Sequence, residues 1–369
     1  MLFAKLNDLS IGGKGSYGIA ASAVERKADL PTYLRITDIF DDGTLNLSEL
    51  KSVDAPNSDK YILKPNDIVF ARTGGSTGRN YFYDGSDGVF VYAGFLIKFS
   101  IDPEKVNPKY VKYYCRSKQY NDWVQSFNTG STRGNINAQT FGNMEIPLPE
   151  RKQQDYLVSI LEPIDEKIRN NKQVNDNLQQ QAQAIYASMF VDNAEPTWKQ
   201  GHLSDFVIVR YGKDHKKLAD GIYPVYGSGG IMRHVERPLY DKESVLIPRK
   251  GTLNNVMYVN QPFWSVDTMF YTEMRQPNVA KFVYHFVKAK DLASMNAGSA
   301  VPSMTTDILN AMEIVIPPAS VLEEFESLVA PMYRAMQEND AQSKKLADLR
   351  NALLPKLMSG EIDVSDIQL

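Results

Sequence analysis

Two stretches of this chain place apolar or small residues at alternating steps of four and three. In the first stretch these positions are Leu157, Leu161, Ile164, Ile168, Leu178, Ala182, Ile185 and Met189, with Asn171 and Asn175 in the two polar slots. The equivalent positions of the second stretch are Phe325, Val329, Met332, Met336, Asn339, Leu346, Leu353 and Leu357. A heptad series of this kind predicts a long helix with one apolar stripe. Because neither helix buries its stripe alone, the pattern favours two helices packed on each other.

The two predicted helices belong to a duplicated unit. Asn128 falls on Asn296 at an offset of 168 residues (296 minus 128), and the following sixty residues align without a gap. Met144-Glu145-Ile146 then falls on Met312-Glu313-Ile314. A repeat of this length indicates a duplicated structural unit. We expect a two-fold relationship between the copies, with the helices antiparallel.

Each predicted helix contains a proline. Pro163 and Pro331 each remove one backbone hydrogen bond, so we expect a short first helix or a kink there. The rod that follows, residues 164–190, would be roughly 40 Å long, a little over one turn of B-DNA.

We expect Asn171 and Asn175 to set the register of the pair at some cost in stability. Gly360 predicts the end of the second helix.

The first globular region is predicted to consist mainly of short strands and turns. We expect a strand at Tyr33–Asp38, a buried strand that leads from Asp67 to Gly74, and one or two buried strands within Val89–Lys98. Residues Tyr110–Val124 have the periodicity of a single amphipathic helix.

The second globular region repeats the first loosely. Ser244–Gly251 resembles Asp67–Gly74, and Lys281–Lys288 resembles the helix near Tyr110. The offset drifts from 197 (203 minus 6) to 177 (249 minus 72), whereas the helices keep 168. The expected organisation is a globular domain at 1–147, a helical spacer at 148–192, a second globular domain at 193–315, a second spacer at 316–360 and a tail at 361–369. The two helices have therefore kept their alignment in sequence, whereas the two globular domains have diverged.

Composition narrows the class of protein. The chain has 369 residues, of which 43% are apolar and 23% charged, as expected for two or three globular domains. Its single cysteine, Cys115, excludes an internal disulfide, and the sequence has no long apolar run or signal-peptide pattern, so a cytoplasmic location is expected. A net charge of −3 argues against indiscriminate coating of nucleic acid but leaves room for local basic surfaces.

The sequence does not predict a catalytic centre, a metal site or a cofactor in this chain. The segment Gly12–Ser16 lacks the spacing of a phosphate-binding loop and predicts a glycine turn. The four histidines, His202, His215, His234 and His285, lack zinc-site spacing. The segment Asn260–Phe263 lacks the second proline of the Asn-Pro-Pro-aromatic signature of amino methyltransferases, so a turn before a strand is the better interpretation.

Arginine, lysine, asparagine, glycine and hydroxyl residues recur beside the predicted strands of both halves. In the first half the candidates for DNA binding are Lys14, Ser16, Tyr17, Arg72, Thr73, Gly74, Ser76, Thr77, Arg79, Asn128, Gly130, Ser131 and Arg133. In the second half they are Lys213, Lys216, Lys217, Tyr226, Gly227, Ser228, Arg249, Lys250, Thr252, Asn296 and Ser299. Arginine reads guanine edges, and small residues let the backbone approach phosphates. Each loop alone is equally consistent with a solvated turn; their recurrence in both halves favours DNA binding.

Together these features resemble the specificity subunits of type I restriction-modification systems. The resemblance spans nearly the whole chain and rests on the Met-Glu-Ile-x-x-Pro sequence that leads into each helix. It also rests on Asp67–Gly74 in the first domain and on Tyr223–Ser228, Arg249–Gly251 and Trp264–Thr268 in the second.

The resemblance implies an α+β fold, with two mixed α/β target-recognition domains joined by two long antiparallel coiled-coil spacers in pseudo-two-fold symmetry. It implies a non-catalytic subunit in which each domain reads one half of a bipartite site on double-stranded DNA. The implied partners are two methyltransferase subunits, which carry S-adenosylmethionine and modify adenine, and restriction subunits that use ATP and Mg. The alternative is a coiled-coil scaffold that binds protein partners without reading DNA sequence.

Overall fold

The computed structural model describes residues 2–127, 134–295 and 303–362, and the chain folds into two compact units. The first unit comprises residues 1–169 and 343–369, and the second comprises residues 170–342. Both boundaries fall inside long helices, which span Arg151–Ala187 and Ala319–Ser359. Each unit therefore contains one globular domain and a segment of each long helix.

The globular domain of the first unit is built from short strands and three short helices. The strands β1–β10 are Leu2–Lys5, Ser16–Tyr17, Ala23–Val24, Thr32–Leu34, Lys51–Val53, Asp67–Ala71, Asn80–Tyr83, Phe90–Tyr92, Leu96–Ser100 and Glu145–Leu148. The helices α1–α3 are Pro108–Tyr114, Lys118–Gln125 and Ala138–Gly142, and the long helix α4 follows at Arg151–Ala187. A π-helical turn, Ser188–Asp192, extends α4.

Strand β6 is central to this domain. It lies in an antiparallel sheet with the order β2-β9-β6-β7, and its five residues are all buried. A second sheet has the order β3-β5-β4-β8, in which β4 and β8 run parallel. Strand β1 pairs with β10, which places the start of the domain beside the segment that leads into α4.

The globular domain of the second unit has nine strands among its described residues. The strands β11–β19 are Lys199–His202, Val207–Tyr211, Asp220–Gly227, Gly230–Val235, Ser244–Pro248, Met257–Val259, Trp264–Ser265, Met269–Met274 and Glu313–Ile316. The helices α5–α8 are Leu203–Phe206, Ala280–Lys288, Thr306–Asn310 and Ala319–Ser359.

The topology of the second domain repeats that of the first. Its antiparallel sheet has the order β12-β18-β15-β16, with the buried strand β15 in the place of β6. A second sheet has the order β14-β13-β17, in which β13 and β17 run parallel, as β4 and β8 do. Strand β11 pairs with β19 beside the start of α8. The duplication inferred from the helices therefore extends to the strand order.

The predicted apolar stripes are the buried faces of the long helices. All the positions of both heptad series are buried or half-buried. In the first unit, Leu157 and Leu161 of α4 share a hydrophobic core with Leu354 and Met358 of α8. In the second unit, Ala182 of α4 joins the core that contains residues of α8.

Asparagines connect the two helices inside the second unit. The Nδ2 atom of Asn171 donates to the side chain of Gln342 (2.9 Å), and that of Asn175 donates to Asp340 (2.8 Å). Asn339 donates to Oδ1 of Asn175 at 2.9 Å. Because the partner numbers fall as the α4 numbers rise, the helices are antiparallel within this unit, as predicted, and Asn175 lies opposite Asn339.

Three predicted elements differ in the structure. Pro163 and Pro331 lie at exposed positions within uninterrupted helices, so the short first helix is absent. The single helix expected at 110–124 is two helices, because Ser117 caps the second by accepting a hydrogen bond from the Tyr120 amide. The strand expected at 33–38 ends at Leu34 and gives way to a 3-10 turn held by Asp38.

The long helices lie within the predicted spacers 148–192 and 316–360. The compact units divide the chain inside these helices and not at their ends, so the bounds of the five predicted segments stay a prediction. No helix among the described residues combines the length and the apolar character needed to cross a membrane.

Candidate nucleic-acid interface

The candidate interface of the first unit begins where the buried strand β6 ends. Asp67 fixes the start of this strand, because its carboxylate accepts hydrogen bonds from Ser100 Oγ (2.5 Å) and the Lys64 amide (2.8 Å) and pairs with Lys98. The strand then delivers Arg72 to the surface at its other end. The position of Arg72 is thus set by a rigid core element.

The guanidinium of Arg72 stacks on the ring of Tyr17. Its central carbon lies 5.1 Å from the ring centroid, and the tyrosine is 43% exposed. Within the described part of the chain, Arg72 has no acidic partner, and its buried Nε has no hydrogen-bond partner. The phenol oxygen of Tyr17 accepts a hydrogen bond from the Ala138 amide at 3.1 Å. The result is a half-buried cation that is held in place by an aromatic ring instead of by a carboxylate.

Gly18 allows the tyrosine to reach this position. A Cβ atom at Gly18 would lie 2.3 Å from the carbonyl oxygens of both Tyr92 and Ala93. The backbone next to Tyr17 therefore packs directly on the neighbouring strand, at a distance that only glycine permits.

The second unit contains the same arrangement at the end of β15. Arg249 follows this buried strand, and its guanidinium carbon lies 5.4 Å from the ring centroid of Tyr211, which is 51% exposed. A Cβ atom at Gly212 would lie 2.0 Å from the carbonyl oxygen of Val266. The Arg249 side chain donates one long hydrogen bond, 3.4 Å, to the carbonyl of Asp267. Arg249 has no ion pair among the residues that the structure describes.

The two arginine–tyrosine pairs are equivalent in backbone connectivity. Three backbone hydrogen bonds of the first unit have counterparts in the second. In the first unit they run from Gly18 N–H to Leu96 O, from Arg72 N–H to Phe95 O and from Ile136 N–H to Arg72 O. In the second unit they run, in the same order, from Gly212 N–H to Met269 O, from Arg249 N–H to Thr268 O and from Met304 N–H to Arg249 O. The duplication has therefore preserved this local geometry although the offset between the two arginines, 177, differs from that between the helices.

Small residues surround each pair. In the first unit, Thr77 Oγ1 donates to the carbonyls of Gly74 and Gly134, and Gly74 adopts a φ of 79° with open space around it. In the second unit, a Cβ atom at Gly251 would lie 2.5 Å from Ser228 Oγ, so the loop after Arg249 packs on the tip of the β13–β14 hairpin. Both loops follow the arginine directly along the chain.

The structure distinguishes among the other predicted residues. Lys14, Lys213, Lys216, Lys217, Lys250 and Thr252 differ in the extent of their exposure but all remain at the surface. Ser16 shares a 3.0 Å hydrogen bond with the Tyr92 hydroxyl, Thr73 forms a β-bridge with Asn135, and Gly227 closes a turn opposite Gly230. Asn128, Gly130, Ser131, Arg133, Asn296 and Ser299 lie outside the described residues.

Three of the predicted residues make contacts within their own domain. Ser76 is buried, and Tyr226 lies in a hydrophobic core, where its hydroxyl accepts from Gln261 at 3.2 Å. Arg79 is held by both oxygens of Asp41, at 2.6 and 3.2 Å. These side chains are already paired or covered, unlike Arg72.

Sequence reasoning missed Tyr211. The structural counterpart of Tyr17 is this tyrosine, in the Tyr-Gly pair at 211–212, and it was not among the residues predicted from the sequence. The available signal was the Tyr-Gly pair itself, at an offset of 194 (211 minus 17), which lies within the drift between the two halves.

The described residues do not include a group of three or more histidine, cysteine, aspartate or glutamate side chains that could hold a metal. Cys115 is buried, and burial raises the pKa of its thiol well above the ordinary value. The arrangement that both domains do present, an arginine stacked on an exposed tyrosine beside glycine-rich loops, suits binding of anions and of base edges.

The duplicated α+β domains, each with a cation presented at the end of a central strand, define a two-headed recognition protein. The family profile described as "Type I restriction modification DNA specificity domain" matches residues 26–180 and 195–324. The chain belongs to this family, and it serves DNA-sequence specificity in a type I restriction-modification complex. The family resemblance inferred from the sequence is confirmed.

Individual relatives agree with this assignment. The type I restriction enzyme MjaIX specificity subunit of Methanocaldococcus jannaschii is 24% identical, with 72% of each chain covered. The HindI specificity subunit of Haemophilus influenzae is 20% identical, with 94% of this chain and 98% of the relative covered. The crystal structure of a type I S subunit from M. genitalium shares the fold, with a TM-score of 0.58 at 17% identity over 96% of this chain and 95% of that one.

Proposed function

We propose that this chain is the non-catalytic reader of a bipartite DNA site, and that each globular domain contacts one half of it. The first domain would use Arg72 on Tyr17, and the second would use Arg249 on Tyr211. The observation that carries the proposal is the presence of the same arginine–tyrosine pair, with the same backbone connectivity, in both domains.

The chemistry of the pair suits direct reading of a base. A guanidinium fork matches the O6 and N7 acceptors of guanine in the major groove, and a good two-pronged contact contributes about 1–3 kcal/mol of discrimination against another base. Stacking on Tyr17 or Tyr211 limits the motion of the side chain before DNA arrives, so less entropy is lost on binding. The lack of an acidic partner among the described residues means that no ion pair has to be broken.

The surrounding residues suit contact with the phosphate backbone. Gly74 and Gly75 have open space around them, and Lys213, Lys216 and Lys217 are exposed near Tyr211 in sequence. Small residues let backbone amides approach phosphates, and lysines supply sequence-independent attraction. We assign these residues to positioning, and the two arginines to sequence discrimination.

Methyl transfer and cleavage would be performed by other subunits. We propose that two methyltransferase subunits bind this chain and modify adenine with S-adenosylmethionine, and that restriction subunits supply ATP- and Mg-dependent cleavage. Because the two domains differ in sequence around their arginines, the two half-sites should differ as well. The bounds of the five segments and the remaining surface candidates for DNA contact are part of this proposal.

The test is to map methylated adenines in DNA modified by the methyltransferase complex that contains this chain. Arg72→Gln should relax or abolish recognition of one half-site only, and Arg249→Gln that of the other half-site only. Arg210→Gln is the matched control, because Arg210 is adjacent to Tyr211 but is paired with Glu273 at 3.1 Å; it should leave the methylated sequence unchanged. If the Arg72 and Arg249 variants methylate the original sequence and no other, the assignment is wrong. If the sequence is unchanged when this chain is omitted, the scaffold alternative is correct.

A further inference from the structure

The turn between β8 and β9 presents a large apolar side chain beside the Arg72–Tyr17 pair. This turn spans Ala93–Leu96, and it is closed by a hydrogen bond from the Leu96 amide to the Ala93 carbonyl at 2.8 Å. Phe95, at its third position, is 59% exposed. The placement of a phenylalanine at a solvent-facing turn next to the candidate reading arginine requires an explanation.

The backbone of this turn is fixed from two sides. The Arg72 amide donates to the Phe95 carbonyl at 3.0 Å, and the Gly94 amide donates to the Ile19 carbonyl at 2.8 Å. A Cβ atom at Gly94 would lie 3.2 Å from that same Ile19 oxygen. Phe95 therefore projects from a rigid turn that is joined directly to Arg72, and its location relative to the arginine is defined.

The side chain of Phe95 does not contribute to the hydrophobic core. It is not a member of the core clusters of the first domain, and it has no ring contact with another aromatic residue in the described ranges. Folding therefore gains little from the ring. A single exposed aromatic ring is ordinary on a protein surface, so what distinguishes Phe95 is its direct backbone hydrogen bond with Arg72.

The second domain has a different residue at the same place. Its equivalent turn, Val266–Met269, is closed by the corresponding hydrogen bond at 2.9 Å, and the Arg249 amide donates to the Thr268 carbonyl at 2.9 Å. Thr268 thus occupies the position of Phe95. The two domains keep the arginine and the tyrosine but exchange an aromatic ring for a small hydroxyl side chain, which is the kind of change that would alter the sequence read.

We propose that Phe95 is a specificity-determining residue that contacts the 5-methyl group of a thymine in the half-site read by the first domain. This inference rests on the proposed function. An arginine that reads guanine O6 and N7 lies in the major groove, and the thymine methyl is the apolar feature that base pairs present there. Because Phe95 is joined to Arg72 through the backbone, the ring meets the same groove within about one or two base pairs of the guanine.

The experiment uses the complex of this chain with its methyltransferase subunits and duplexes that carry its mapped site. Each thymine of the first half-site, on either strand, is replaced in turn by deoxyuridine, which removes only the methyl group. Affinity is measured by competition at one fixed salt concentration. For the wild-type chain we expect one thymine at which the loss is about fourfold, the value for burial of one methyl-sized group.

The Phe95→Ala variant should bind the all-thymine duplex correspondingly less tightly and should not respond to deoxyuridine at that position. The Phe95→Leu variant, which keeps an apolar side chain, should retain part of the response. The same deoxyuridine series in the second half-site should affect wild type and Phe95→Ala equally. Thermal unfolding of each variant verifies that the turn is intact.

Equal losses on deoxyuridine substitution in the wild type and in Phe95→Ala would overturn the proposal. A uniform loss in Phe95→Ala on all duplexes would also overturn it, because the ring would then act as a sequence-independent wedge. Either outcome leaves the proposed function in place as long as Arg72→Gln still relaxes the first half-site. If Arg72→Gln and Arg249→Gln leave the methylated sequence unchanged, the proposed function fails instead.

Discussion

The Nε2 atom of His285 lies 2.9 Å from the hydroxyl oxygen of Tyr333. On the other side of the ring, Nδ1 lies 2.7 Å from Oε1 of Gln183. Since an amide oxygen only accepts, Nδ1 carries the proton, and Nε2 accepts from the tyrosine. His285 of α6 therefore connects the globular domain to both α4 and α8 within the second unit, in a fully buried position.

This contact predicts a pH-dependent stability for the second unit. Burial lowers the pKa of His285 from 6.5 to about 4, so the unfolded chain takes up a proton at a higher pH than the folded chain does. Stability should therefore fall as the pH falls from about 6.5 to about 4, by about 3 kcal/mol in total from this residue. Urea unfolding across this pH range measures the effect.

The variant His285→Gln should be less stable at neutral pH and should show a flatter dependence on pH between the same limits. His234→Gln is the control, since His234 is exposed on β14. If His285→Gln retained the full wild-type slope, this histidine would not be the group responsible.

In the first unit, a buried network of ion pairs connects the globular domain to α4 and α8. Asp165 of α4 lies 2.9 Å from Arg116, 3.2 Å from Lys112 and 2.8 Å from Arg350 of α8, and its Oδ2 accepts a hydrogen bond from Tyr113. Burial alone would raise the pKa of Asp165, but Arg116, Lys112 and Arg350 outweigh that effect and lower it. The carboxylate is therefore ionised throughout the ordinary pH range.

We expect Asp165→Asn to lower the free energy of unfolding of the first unit by about 3 kcal/mol, because it leaves buried cations without their counterion. The matched control is Asp122→Asn, which removes an exposed pair with Lys118 on α2 and should change stability by about 0.5 kcal/mol or less. Denaturant titrations of both variants make the comparison. Equal losses in the two variants would show that the network contributes no more than a surface pair.

The asparagine pair of the long helices should be cooperative. Asn175→Leu removes the acceptor of the Asn339 side chain, so we expect a loss of about 1–2 kcal/mol. Adding Asn339→Leu to Asn175→Leu should restore stability to the wild-type value or raise it above that value, because two apolar side chains then pack in the stripe. A double-mutant cycle by thermal unfolding gives the coupling energy, and additive losses would argue against a direct interaction.

Gly18 should be required for the first reading site. Gly18→Ala places a methyl group against two carbonyl oxygens, which we expect to cost about 1–3 kcal/mol and to displace Tyr17 from Arg72. Recognition of the first half-site should weaken, while that of the second is kept. Gly212→Ala is the matched control, because a Cβ atom there would lie 2.0 Å from the carbonyl oxygen of Val266 in the second unit; it should weaken recognition of the second half-site and leave that of the first unchanged. Methylation mapping and melting temperatures together distinguish displacement of Tyr17 from general unfolding.

Much of the architecture was accessible from the sequence because it is encoded in local periodicity. The heptad spacing predicted both long helices and their buried faces, and the constant offset of 168 revealed the duplication without any structural information. Arg72 and Arg249 were also found from sequence, since each follows an apolar run that predicts a buried strand. The helix end at Gly360 was correct, as the residue has the positive φ of 74° that such an end requires.

The tertiary structure decided which side chains meet. Tyr17 reaches Arg72 only because β2 and β6 both pair with β9, and a strand register between distant segments leaves no periodic trace in the sequence. The equivalent pairing of β12 and β15 with β18 places Tyr211 beside Arg249. Tertiary contacts also pair Arg79 with Asp41 and place Tyr226 in a hydrophobic core. The sequence by itself determined the repeated frame, because helical stripes follow from spacing along the chain. Only the folded chain determined the proposed reading sites, because they are assembled from contacts between residues far apart in sequence.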